Sequence, residues 1–172
     1  MGKLIVSSIY EKLKKFNSLC ATLAGLVLLF ITFSIFIDVI LRYFFNRPSI
    51  WITEVSTYLF LYIIFLATAY AFQMDLHIKV TFLVDRFSRA AVRWFDLATS
   101  ILAIIFCAVL LWQTTIMTWA AFEEKWTTPT ALSAPYALFY ISMVIGSALL
   151  LATLCLRTIL QMVDPNMAED RL

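Results

Sequence analysis

Asp38 and Arg42 stand one helical turn apart at the end of a long apolar run in a chain of 172 residues. A lone carboxylate inside a bilayer costs about 2.5–3.5 kcal/mol on insertion scales, so Asp38 needs a partner. Arg42, about 6 Å further along by helical rise, can form an intramembrane ion pair with it near the membrane surface. Such a pair either anchors a helix end or offers a polar contact to a second subunit. A proton relay would need another carboxylate in the later apolar runs, and Leu97 to Phe122 and Trp126 to Leu156 contain none.

Glu54 follows Trp51 at the entry to the next apolar run, where the positive end of a helix dipole favours a carboxylate. Its functional alternative is contact with an extracytoplasmic partner. His77, the only histidine, follows that run beside Asp75 and reads as an interfacial imidazole, since a haem with two histidine ligands needs a second one. Cys20, Cys107 and Cys155 are isolated in apolar runs without a Cys-x-x-Cys pair, which argues against metal and redox chemistry. The sequence carries no Gly-rich phosphate loop, no Ser/His/Asp set and no nucleic-acid patch. It predicts a protein that is not an enzyme, without catalytic residues, cofactor or metal. A quinone-linked thiol oxidase, the enzyme alternative, would require paired cysteines outside the membrane.

The elements that position these residues follow from composition. The chain is 63% hydrophobic and 16% aromatic, whereas soluble domains are apolar over roughly half their length. Uncharged runs from Phe16 to Ile37, Val55 to Met74, Leu97 to Phe122 and Trp126 to Leu156 each reach the roughly 20 residues that cross a bilayer as helix. The runs are continuous, where a transmembrane barrel would alternate. The predicted fold is an all-α membrane protein, a single membrane domain over 1–172 with spans near 16–41, 51–74, 95–120 and 135–157. Lys3, Lys12, Lys14, Lys15, Lys79, Arg86, Arg89, Arg93, Arg157 and Arg171 fall on one side, against Arg42, Arg47 and Lys125 on the other. That bias predicts cytoplasmic N and C termini and puts 42–54 and Glu123-Glu124-Lys125 outside.

Residues 1–15 suit a short amphipathic helix on anionic membrane lipids, or a frayed basic arm. Val80, Leu83, Val84, Phe87 and Ala91 at helical spacing predict an interfacial amphipathic helix over 79–92. Ala21 with Gly25, Ala67 with Ala71 and Ser142 with Gly146 are candidate close-packing pairs. Transporters that bind substrate at mid-bilayer use helices broken by Gly and Pro. Here glycine occurs at 2, 25 and 146, and prolines 48, 129, 135 and 165 lie at loops or helix starts. Continuous helices predict a support or docking subunit whose working surfaces are its outer loops and side faces, with a self-sufficient small membrane transporter or an accessory subunit of another membrane complex as the alternative.

Arg42-Tyr43-x-Phe45-Asn46-x-Pro48 leading to Trp51-x-x-Glu54, and Ala69-Tyr70-Ala71 followed by His77-Ile78-x-Val80-x-x-Leu83, make the chain resemble the small membrane subunit of tripartite ATP-independent periplasmic (TRAP) transporters. The resemblance covers nearly the whole chain. It departs from the family pattern at Thr53 and Thr81, where acidic residues are common, and at Gln73-Met74-Asp75-Leu76, where basic or glycine residues are common before the histidine. It implies a sodium-coupled, binding-protein-dependent organic-acid transporter of the bacterial inner membrane. The implied partners are a large multi-span transport subunit and a periplasmic substrate-binding protein. Arg42, Arg47, Trp51 and Glu54 carry over to the docking side and His77 to a cytoplasmic motif. Glu123, Glu124 and Lys125 join the periplasmic partner-binding set through the charge argument alone.

Overall fold

A computed structural model describes residues 2–47, 49–74 and 89–163. Among these residues are four helices: α1 Gly2–Phe44, α2 Ile50–Gln73, α3 Arg89–Glu123 and α4 Tyr136–Val163. All four are long and apolar enough to cross a membrane, and no strand forms among the described residues. His77 and most of the expected interfacial helix over 79–92 lie outside the described residues; 89–92 are the first turn of α3. The N-terminal arm is not a separate surface helix. No proline or glycine interrupts the sequence between Lys3 and Ala24, so α1 runs through it into the apolar segment without a break.

The helix ends are set by identifiable caps. Asn46 adopts a left-handed backbone (φ 51), which asparagine tolerates, and the Phe45 and Arg47 amides donate to Leu41 O at 3.2 and 3.1 Å. At the end of α3, Lys125 takes φ 51 and the Trp126 amide reaches back to Ala121 O at 3.1 Å, a Schellman-type cap. Pro135, which has no amide proton to lose, immediately precedes α4.

Packing centres on α4, which contacts α1, α2 and α3, while α1 pairs with α2 and α3 leans on α4. The buried residues of α1, namely Asn17, Cys20, Ala24, Ile31 and Asp38, fall on one seven-residue repeat, the pattern of helices that stay side by side along their length. In lipid there is no hydrophobic drive between helices, so close approach and interhelical hydrogen bonds hold the bundle. Gly146 supplies the approach between α4 and α2: a Cβ there would stand 2.5 Å from Phe65 O. The Ala21 and Gly25 face of α1 is not used in this way, since nothing lies within 4 Å of the corresponding Cβ position at Gly25.

At the end of the bundle opposite the α1–α2 connection, Asn17 joins three helices. Its Nδ2 donates to Gln73 Oε1 at 3.2 Å and to Thr153 Oγ1 at 3.0 Å, and all three residues are buried. Nearby, Arg157 donates to Phe72 O at 3.3 Å and lies 5.1 Å over the Phe72 ring. Asn17→Leu, which deletes both donated bonds, is expected to destabilise the purified protein by about 1–2 kcal/mol. Thermal unfolding in detergent measures this. An unchanged midpoint would show that the two bonds only replace bonds to water or lipid headgroups.

Candidate functional site

The end of the bundle that carries both short connections is tied down by two carboxylates. Asp38, 5% exposed, accepts from Arg42 Nη2 at 2.9 Å through Oδ2 and from the Ser49 amide at 2.8 Å through Oδ1. Ser49 caps the N-terminus of α2 in an extended conformation but makes no capping bond with its own side chain. Asp38 therefore links the last turns of α1 to the first residues of α2. The Arg42 guanidinium is half exposed, at 51%, and keeps donors in hand beyond the one Asp38 uses.

Glu54, on the first turns of α2, holds the α3–α4 connection. Its Oε1 accepts from the Ala131 amide at 3.0 Å and its Oε2 from the Leu132 amide at 3.2 Å. One turn further, the Tyr58 hydroxyl lies 3.3 Å from Thr128 Oγ1 and 3.1 Å from Thr130 Oγ1, which are 2.9 Å from each other. The Tyr58 ring stacks at 33° on buried Phe139 of α4, with centroids 4.1 Å apart. Within the connection, the Thr128 amide donates to Ala134 O and the Tyr136 amide to Trp126 O, both at 2.9 Å. The segment is thus a hydrogen-bonded loop with a fixed shape.

Around these two ties the remaining charged and aromatic groups point outward. Arg47, Glu123, Glu124 and Lys125 are exposed, as are Trp51 at 56% and Tyr43 at 79%. Glu124 accepts from Trp126 Nε1 at 2.7 Å. A cleft of about 400 Å³ opens between α1 and α2, lined by Ile31, Ile35, Val39, Ile52 and Phe60 with Asp38 and Arg42 at its polar edge. Those two charges already neutralise each other, so the cleft offers no net charge to an organic anion. Among the described residues no three His, Cys, Asp or Glu side chains converge as a metal site.

The geometry gathers Asp38 with Arg42, and Glu54 with the α3–α4 connection. Sequence reasoning missed Ser49, Tyr58, Thr128 and Thr130, which complete both ties. The signal for Tyr58 was its position one turn after Glu54; the amide of Ser49 left no signal in its side chain.

These features define a multi-pass helical membrane protein with its two carboxylate ties at the end that carries the short connections. Residues 31–164 match the DctQ component of tripartite ATP-independent periplasmic transporters, and the chain belongs to that family of small permease subunits. A Haemophilus influenzae protein named as a TRAP transporter small permease is 28% identical over 147 residues, covering 85% of this chain and 86% of that protein.

Proposed function

We propose that the chain is the non-catalytic small membrane subunit of a sodium-coupled, binding-protein-dependent organic-acid transporter in a bacterial inner membrane. In this reading it braces a large transport subunit, and its clipped end faces the periplasm, where it helps to dock the substrate-binding protein. The observation that carries the reading is the pair of carboxylate ties. Asp38 and Glu54 are spent on holding two connections in shape, which leaves Arg42, Arg47, Trp51 and the Glu123–Lys125 corner displayed on a rigid frame. A preorganised surface binds without first paying to order its loops.

Arg47→Ala then lowers uptake about two- to fivefold when the binding protein is scarce, the weight of one exposed ion pair, and leaves subunit assembly intact. The deficit shrinks as ionic strength rises, because exposed charges are screened. Glu54→Ala lowers uptake further by releasing the amides of Ala131 and Leu132, with the same intact assembly. Uptake assays with all three components, paired with co-purification, read both variants. Uptake by this chain alone in proteoliposomes, or purification without a large membrane partner, would overturn the proposal.

A further inference from the structure

Gln113 lacks the local hydrogen bond that most threonines of the spans make. Thr114, Thr115 and Thr118 on the same helix return their hydroxyl protons to carbonyls of the preceding turn. Thr22, Thr32, Ser34, Thr57 and Thr68 do the same on α1 and α2. Gln113 is exposed and makes no hydrogen bond among the described residues. Its carboxamide carries two donor protons and an acceptor oxygen. By helical rise it lies about 15 Å from Glu123 at the end of the Leu97–Glu123 span, too deep for so short a side chain to reach the interface.

Among the described residues, the side of α3 that bears Gln113 has no neighbour. Cys107, Thr114 and Ala121 form the buried stripe, and Gln113 stands about 100° round the helix from Thr114. One turn to either side of it are Val109, Ile116 and Met117, exposed at 61%, 47% and 38%, with Phe106 at 66% beyond them. An apolar collar surrounds a single unmet amide. Lipid tails offer it neither donor nor acceptor, and an unsatisfied polar group in hydrocarbon is strongly disfavoured. Polar side chains placed in this way act as glue between transmembrane helices.

We infer that Gln113 and its collar seat a transmembrane helix of the large membrane subunit, and that this helix presents a side-chain amide, hydroxyl or free carbonyl opposite Gln113. The inference rests on the subunit reading above, and it draws on the family description, which makes the chain one component of a tripartite assembly. It identifies α3, at the edge of the bundle, as the face that meets the partner.

The test uses the full-length chain co-expressed with the large subunit. A photo-crosslinking residue is placed at Ile116, or at Leu26 on the exposed face of α1 as a control. Ile116 is expected to capture the large subunit. Gln113→Leu is expected to lower the co-purified large subunit about three- to tenfold, with Gln113→Asn in between and helix content unchanged by circular dichroism. If the complex forms, crosslinks only from Leu26 and tolerates Gln113→Leu, the seat is refuted while the subunit reading stands. Capture of a second copy of this chain from Ile116 refutes the occupant. Failure of even the wild-type chain to bring down a large subunit overturns both readings.

Discussion

Asp38→Ala is expected to lower the stability of the purified protein by about 2 kcal/mol and to free the connection between α1 and α2. Two bonds are lost, and they differ in weight. The Arg42 guanidinium is half exposed, so water screens its attraction to Asp38 and that part contributes about 1 kcal/mol or less. The Ser49 amide at 2.8 Å is a hydrogen bond to a charged acceptor at the start of α2, where the amides of the first turn lack helical partners. It carries the larger share. Asp38→Asn keeps an oxygen for Ser49 while losing the charge, and so is expected to cost less than half as much. Thermal unfolding in detergent gives the ranking, and hydrogen exchange at the Ser49 amide localises it. Equal damage from asparagine and alanine would assign the effect to the ion pair and reverse this ranking.

Gly146→Ala is expected to destabilise the bundle by about 1–3 kcal/mol, although alanine is intrinsically the better helix former. The added Cβ would stand 2.5 Å from Phe65 O, 2.7 Å from Phe65 Cβ and 2.8 Å from Phe65 C. Two of those atoms are backbone, so relief requires α2 and α4 to move apart, and no rotamer change on Phe65 can provide it. Gly25→Ala is the matched control, since its Cβ would enter open space. There the helix-propensity gain acts alone, about 0.5–1 kcal/mol in the stabilising direction. Opposite signs from the same substitution at two helical glycines are the expected result. A stabilising Gly146→Ala would mean that the approach of α2 to α4 is looser than the structure has it.

The four helices could be read from the sequence because hydrocarbon imposes a simple requirement, an unbroken apolar run that satisfies its own backbone. Helix packing was less visible. Gly25 and Gly146 look alike as members of small-residue pairs, and only the path of α2 past α4 makes one of them a contact and leaves the other bare. The polar end shows the same limit. Asp38 and Arg42 are four apart on one helix, a spacing that local geometry already brings together. Glu54 reaches amides 77 and 78 residues away, and a backbone amide has no residue type by which to recognise it. Asn17 lies beside a run of lysines and is inconspicuous there, yet it bridges to Gln73 and Thr153, residues 56 and 136 positions away.

The unbroken course of α1 has a mechanical consequence. From Lys15 to Arg42 the helix rises about 40 Å, close to the full thickness of a bilayer with its headgroup layers. The helix is continuous between those residues, so the two cations act as the ends of a ruler. A continuous helix meets a thinner or thicker membrane by tilt, by axial displacement or by local deformation of the bilayer. Through Asp38 and Ser49, that displacement would be handed on to the first turn of α2, so bilayer thickness becomes a variable that sets the height of the clipped face.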